Sequence, residues 1–384
     1  MKKTTFYIIG IFLCFYSCSK PKPISQIGTK YVTVKVNVFD KNVISKTQIK
    51  EEYIVKLETN NDCLIGNIKK LRVDDDRIFI LDSNVSEKLF VFNKSGKYLF
   101  HVGKKGQGPG EYYSINDFFI DKKAKKIIIY DANLRNLHYY NWDGKYVKTH
   151  SFSGIWMFAC CPLDSNLFAI DFTKKALTNK YHLEYLDQKN KVQSVFKPLE
   201  MDFELPNNFH IAFYKGIENN IFYVPTRCDT IFNINKKGIH GGYAIDFGKN
   251  TYPIKKYKNL HKKEQVESLQ NSKYCYGIQN ILETSEILFF NFSFGQYNFP
   301  FFYNKHTKST YSGLLYYPQP IAVDSDNYFV GIYESYLVNP VLNNSKNLDY
   351  CKEWKQNIGD RNWKYLEQMK SSDNPLLFFY KIEL

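Results

Sequence analysis

The chain has 384 residues, 52 Lys and Arg against 38 Asp and Glu (formal charge +14), and is 44% hydrophobic and 17% aromatic. So much apolar content excludes a disordered chain, and the 31 Tyr and 31 Phe favour β-structure, where flat rings pack on a pleated surface. The lysines are scattered through turns and strand ends without a dense basic run, so the surplus reads as a solvated surface and no nucleic-acid partner is expected.

The amino terminus comes first. Met1-Lys-Lys3 is a basic start, and Phe6 to Tyr16 is an apolar run too short to span a bilayer. It ends at Phe15-Tyr-Ser-Cys18 and is followed by Ser19-Lys-Pro-Lys-Pro23. A small residue directly before a cysteine at the end of such a run resembles the lipobox of a bacterial lipoprotein, with Phe15 where Leu is usual. The reading is a signal peptide over 1–17, a lipid on Cys18 as the membrane contact, a polar tether over 18–30 and one domain over 31–384. The remaining cysteines, Cys63, Cys160, Cys161, Cys228, Cys275 and Cys351, contain no C-x-x-C and no zinc spacing. Cys160 and Cys161 read as strand residues, because a bridge between neighbours is strained.

From Arg77 a pair of strand-like segments recurs. Arg77-Ile-Phe-Ile-Leu-Asp82 and Lys88-Leu-Phe-Val-Phe-Asn93 return as Lys126-Ile-Ile-Ile-Tyr-Asp131 and Asn136-Leu-His-Tyr-Tyr-Asn141. Second strands of the unit begin near Ile78, Ile127, Leu167, Ile221, Ile287 and Tyr328. Third strands follow at Leu89–Asn93, Leu137–Asn141, Leu183–Asp187, Ile231–Asn235 and Phe299–Asn304. Most close on Asn or Asp before a turn, residues that bond their own backbone or tolerate positive φ. Six such units predict an all-β chain: a six-bladed β-propeller of four-stranded antiparallel blades. Short helical insertions are expected near 257–272 and 347–370, each polar with one apolar stripe. The tail Pro375–Leu384 is strand-like, and pairing it with Tyr53-Ile-Val-Lys-Leu57 would close the ring and remove two exposed sheet edges.

Tyr53–Thr59, the segment Ile65–Asp82 and Gly103-Lys-Lys-Gly-Gln-Gly-Pro-Gly-Glu-Tyr112 resemble the opening of the six-bladed β-propeller lipoproteins of Bacteroidetes type, which are NHL/TolB-like in form. Asp373-Asn-Pro-Leu-Leu-Phe-Phe-Tyr-Lys381 is similar to that family's close. The resemblance covers about residues 50–384 and implies architecture and a cell-envelope location more than chemistry.

The glycine-rich segment Gly103–Gly110 is not read as a phosphate cradle: Glu111-Tyr112 follows where Lys-Ser/Thr is needed, the next apolar residues read as a strand, and Pro109 removes a donor. It reads as a connection between blades. If strands run inner to outer, outer-to-inner and second-to-third connections share one face. That face gathers Asp82, Gly108, Glu111, Tyr112, Asp131, Arg135, Asp171, Arg227, Gln296, Tyr297 and Glu334 as candidate binding residues. Each Asp has an equally physical role as a turn cap, and each Arg as its pair.

No catalytic set, metal site or cofactor is expected. His101, His138, His150, His182, His210, His240, His261 and His306 form no H-x-H or H-E-x-x-H, and no G-x-S-x-G is present. Asp74-Asp-Asp76 reads as an acidic turn. Asp229-Thr230-Ile231 resembles an O-glycosylation acceptor, but Thr230 is expected to enter a strand. The functional expectation is a lipid-anchored, non-enzymatic envelope propeller binding a glycan, peptide or partner protein on its glycine-loop face. Competing readings are a metal-assisted lyase or hydrolase in the central channel, and a structural subunit. The basic stretch after Cys18 favours an outer-membrane anchor facing the periplasm over surface display.

Overall fold

The computed structural model describes residues 22–26, 30–74, 76–155, 157, 159–171, 182–196, 211–216, 220–225, 228–253, 263–264, 267–268 and 273–384. Six small antiparallel sheets form a ring, five with their strands in chain order from inside to outside and the sixth with an outer strand taken from the start of the chain. Blade 1 runs Lys70–Asp74, Arg77–Asp82, Lys88–Asn93 and Tyr98–His101. Blade 2 runs Asp117–Asp121, Lys126–Asp131, Asn136–Asn141 and Tyr146–Ser151. Blades 3, 4 and 5 start at Ala159–Pro162, Phe213–Lys215 and Cys275–Glu283, and blade 6 at Pro320–Val323.

The residue pattern follows from this packing. A middle strand is covered on both faces by neighbouring blades, so Ile78, Phe79, Ile80 and Leu81 are all fully buried rather than alternating with polar residues. Successive side chains still point to opposite faces. Phe79 and Leu81 pack with Phe118, Ile127 and Ile129 of blade 2, while Ile78 and Ile80 pack with Val330, Leu377 and Phe379 of blade 6. Six hydrophobic clusters of this kind fill the six interfaces between blades. Outer strands have solvent on one side, and Tyr146–Ser151 is almost wholly exposed. Cys160 and Cys161 obey the same alternation: one joins the cluster against blade 2, the other the cluster against blade 4, and all six described cysteines are free. Thr230 opens the third strand of blade 4, opposite Ala244.

The ring closes as expected. Leu376–Ile382 is the third strand of blade 6 and Ile49–Lys56 its outer strand, with Phe378 opposite Ile54 and Phe379 opposite Tyr53. The rings of Tyr53 and Phe379 stack 4.7 Å apart. Before this strand the chain follows the outer rim. Lys22–Pro23, within the stretch expected as tether, pairs in parallel with Val192–Phe196 of blade 3. Gln26 then bridges Ile239, and Tyr31–Lys35 pairs in parallel with Gly238–Asp246 of blade 4. Ile44 bridges Leu314 beyond blade 5. This strap covers edge strands that would otherwise present open backbone, and it anchors there through buried Ile24, Val34 and Ile44.

The expected helical stretch near 347–370 is helix α2, and a further helix α1 precedes it: α1 spans Ser335–Leu342 and α2 spans Leu348–Glu367. Both lie in the connection between the second and third strands of blade 6. Trp354, Ile358, Trp363, Leu366 and Met369 are buried against Tyr333 and Phe378. Leu348, at the helix start, stays exposed. Gly359, at φ 78°, kinks α2. Of the other expected helical stretch, 257–272, residues 263–264 and 267–268 are helical and the remainder lies outside the described residues. Among the described residues no helix is long and apolar enough to cross a membrane.

Candidate functional site

The strand order gives the ring two unlike ends. The loop face carries the second-to-third connections within blades and the outer-to-inner connections between them. The turn face carries the remaining hairpins, and the inner strands line a central channel whose lining continues onto those hairpins.

On the loop face, Asp82 and Asp131 end the second strands of blades 1 and 2 and are fully buried. Asp82 accepts hydrogen bonds from the N–H groups of Gly66 (2.8 Å), Asn67 (3.2 Å), Val85 (3.0 Å) and Ser86 (3.1 Å). Its carboxylate thereby ties the incoming connection to the blade's own turn. Burial opposes its ionisation, but the donors of Val85, Gly66 and Ser86 outweigh that and hold its carboxyl below the usual range. Asp131 repeats the arrangement, accepting from Tyr113 N–H (2.6 Å), Ser114 N–H (3.2 Å) and Leu134 N–H (3.0 Å). Asp171 holds the equivalent place in blade 3, also fully buried, and accepts from the Tyr223 hydroxyl at 3.1 Å.

The glycine loop is organised internally too. Glu111 accepts from Gly108 N–H at 2.8 Å and pairs with Lys104 at 2.8 Å. Tyr112 is buried and donates its hydroxyl to the Glu87 carbonyl at 3.1 Å. Gly110 sits at φ 75°, where an added Cβ would fall 2.5 Å from the Tyr146 ring, so only glycine fits. No helix follows this loop; the chain enters Asp117–Asp121.

Arg135 is half-buried at φ 57°, closing the blade 2 turn. Glu334 is half-buried at the N-terminus of α1, where burial raises its pKa. Gln296 and Tyr297 form the hairpin tip of blade 5, with Tyr297 64% exposed. Arg227 lies outside the described residues. The candidates are therefore spread over the connections of several blades, with Gly108 and Glu111 joined directly.

Sequence reasoning missed what the loop face exposes. Leu64 and Val85 at blade 1, Tyr113 and Leu134 at blade 2, and Tyr336 and Leu337 on α1 are all large, apolar and exposed, as is Tyr297. The available signal was an apolar residue set among turn formers, as in Asn84-Val85-Ser86.

The channel encloses a cavity of about 1720 Å³, lined by parts of all six blades and by hairpins of the turn face. Its walls are strongly basic: Lys69, Lys70, Arg72, Lys122, Lys126, Lys215 and Lys236 line it, against Asp74, Asp121, Asp164, Glu283 and Asp324. Lys70 pairs with Asp117 at 2.6 Å, and Lys305 with Glu283 at 3.1 Å. Asp74, expected as an acidic turn residue, is instead buried and holds three cations. Arg72 donates to its Oδ2 through Nε (3.0 Å) and Nη2 (2.6 Å). Lys122 Nζ lies 3.0 Å and Lys215 Nζ 3.2 Å from its Oδ1. Although burial opposes ionisation, Arg72, Lys215 and Lys122 hold the Asp74 carboxyl below its usual range. Lys215 is pushed down to about 8, first by burial and then by Arg72, with Asp74 only partly opposing. Among the described residues no three His, Cys, Asp or Glu side chains converge in a way that would hold a metal ion. His240 reaches the channel lining, while His138 is buried within blade 2 beside Thr149.

The ring resembles the crystal structure of a protein from Bacteroides fragilis NCTC 9343 described as exported, with a TM-score of 0.74, 21% identity, and 92% of this chain and 100% of that one covered. It also resembles a member of the DUF4221 family from Bacteroides vulgatus ATCC 8482, with a TM-score of 0.51, 8% identity, and 87% and 97% covered. At such identities the likeness shows the fold. No curated protein matches the chain. The family described as a domain of unknown function, DUF4934, matches residues 34–381, and with nearly the whole ring inside that span the chain belongs to this family.

Proposed function

We propose that this propeller is a non-enzymatic binding module of the cell envelope, anchored by a lipid on Cys18 and engaging a partner protein through its loop face. The observation that carries the reading is the exposure of Leu64, Val85, Tyr113, Leu134, Tyr297, Tyr336 and Leu337 on the connections of that one face. Exposed apolar and aromatic side chains rimmed by polar loops are what protein recognition uses. A glycan site instead needs carboxylates and amides turned toward solvent. Here Asp82 and Asp131 spend their oxygens on backbone N–H groups, so the surface suits a polypeptide better than a sugar. An envelope location is supported by the amino-terminal pattern ending at Cys18 and by the structural likeness to a protein described as exported. The anchor is assigned to the outer membrane, facing the periplasm, from the basic stretch after Cys18.

The test is in-cell photo-crosslinking, with p-benzoylphenylalanine replacing Val85, Tyr113, Tyr297 or Leu337, and Lys145 or Lys189 on the turn face as controls. One discrete protein adduct from the loop-face positions, missing from the controls, is expected. Equal adducts from both faces, or none from either, would sink the reading. Metabolic labelling with an alkyne fatty acid should be lost in Cys18→Ala; labelling that survives would remove the anchor.

A further inference from the structure

We propose that the ring stands on its edge against the lipid headgroups of the membrane, meeting them through the outer strand of blade 2 and the adjoining turn of blade 3. The inference rests on the lipid at Cys18 proposed above, and goes beyond it by fixing which side of the ring meets the bilayer.

The argument begins with reach. Cys18 lies outside the described residues, whereas Lys22 is held opposite Ser194 and Pro23 opposite Val195 in the outer strand of blade 3. Ile24 follows and is buried, so the strap is fixed to the rim from its first described residues. Residues 19–21 are all that separates Cys18 from Lys22. Four residue steps span at most about 14 Å when fully extended, whatever path they take. That is roughly three strand spacings. An acyl chain on Cys18 therefore enters the membrane beside blade 3.

Direction then selects the neighbouring strip of rim. The strap runs parallel to Val192–Phe196 and enters from its Val192 end. That end adjoins the turn at 187–191, where Asn190 donates through Nδ2 to the Ser151 carbonyl at 2.8 Å, and its Oδ1 lies 3.0 Å from His150 Nε2. His150 and Ser151 end the outer strand of blade 2, Tyr146–Ser151. Among the described residues no strand pairs with the outer side of Tyr146–Ser151, while the strap pairs with blades 3 and 4.

The chemistry of this strip suits headgroups. Tyr146, Val147 and Val192 are large, apolar and exposed. Over 141–151 and 187–192 the charged side chains are four exposed lysines, Lys145, Lys148, Lys189 and Lys191, and two aspartates, Asp143 and Asp187. Asp187 accepts from the N–H groups of Lys189 and Lys191 and from the Gln193 amide, each at 2.9 Å, and Asp143 lies 3.9 Å from Arg77. Lysines interleaved with tyrosine and valine are what a surface resting in the headgroup layer presents. Hydrated headgroups can also satisfy the open backbone of an edge strand. Both ends of the ring then stay open to solution, with the loop face turned sideways.

The experiment uses the full-length acylated protein with p-benzoylphenylalanine replacing Val147 or Val192. It is reconstituted in vesicles of phosphatidylethanolamine and phosphatidylglycerol that contain an alkyne-tagged phospholipid, then illuminated. Thr307, in the turn of blade 5 across the ring, and Tyr297 on the loop face are the comparison positions. Both rim positions are expected to take up tagged lipid about fivefold or more above the comparison positions. Lys145→Glu with Lys189→Glu should lower uptake at Val147 by about threefold or more, while the acyl chain keeps the protein on the vesicles. Equal uptake at Thr307, or an adduct between two copies of the chain in place of lipid, overturns the proposal. The mass of the Cys18 peptide from the same sample separates two failures. A missing acyl group removes the anchor and the edge contact together; an acyl group without rim adducts removes the edge contact alone.

Discussion

The two ends of the ring are built from the same blades yet solve opposite problems. Turn-face hairpins are short and locked by their own side chains. Asn93 accepts from the N–H groups of Ser95 and Lys97, Asn141 from those of Asp143 and Lys145, and Asp187 from those of Lys189 and Lys191. Large exposed apolar residues are missing from the described residues of these turns, and lysines take their place. Loop-face connections are longer, pinned from below by buried Asp82 and Asp131, and expose tyrosine and leucine. One end therefore presents fixed positive charge around a channel, the other an apolar surface on braced loops. The same residue type illustrates the contrast: a carboxylate braces backbone at one end and gathers cations at the other.

The comparison can be broken hardest at Asp74. Removing its charge in Asp74→Asn leaves three cations facing one another, and unfolding in urea should show a loss of about 3–5 kcal/mol. A loss below about 1 kcal/mol would mean that solvent already screens the cluster.

Next in size is Asp82→Ala, which strips an acceptor from several buried backbone donors at once. Each orphaned donor costs about 1–3 kcal/mol, relaxation recovers part of this, and the unfolding free energy should fall by about 2–4 kcal/mol. An unchanged stability would free Asp82 for ligand recognition and restore the glycan reading.

Tyr297→Ala and Leu337→Asp should change stability by less than about 0.5 kcal/mol, since both side chains are exposed. The same variants are expected to abolish the loop-face adduct. A large stability loss would instead mean that these side chains support the fold.

The smallest effect concerns pH. Lys215 has a folded pKa near 8, below its ordinary value of 10.5, in the field of Arg72, Asp74 and Lys122. The unfolded chain then binds more protons between those two values, so this group's contribution makes stability rise as pH climbs through 8 toward 10. A Lys215→Gln variant should lose that rise in unfolding midpoint. An identical pH profile in both proteins would remove Lys215 from the account.

Much of the ring was legible because most middle strands are runs of apolar residues ended by Asp or Asn, as at Arg77–Asp82 and Lys126–Asp131. Closure was legible because Leu376–Ile382 has no partner near it in sequence. The strap was not, since its short parallel pairings at Lys22–Pro23 and Tyr31–Lys35 carry no hairpin turn to announce them. Helix α1 escaped for a related reason: Pro340 lies within it and Glu334 gives no side-chain cap. The cation cluster depends on residues of three blades far apart in the chain. One local signal did exist. Lys70, Arg72 and Asp74 alternate with buried Leu71 and Val73, which puts three charged side chains on one face of an innermost strand. Only the ring gives that face a channel to line.

The most direct measurement is photo-crosslinking in cells from Tyr113 and Tyr297 on the loop face and from Lys145 on the turn face, side by side. Two differently equipped ends predict one discrete protein adduct from the exposed loop-face tyrosines and none from Lys145. Equal adducts from both faces, or none from the loop face, would contradict it.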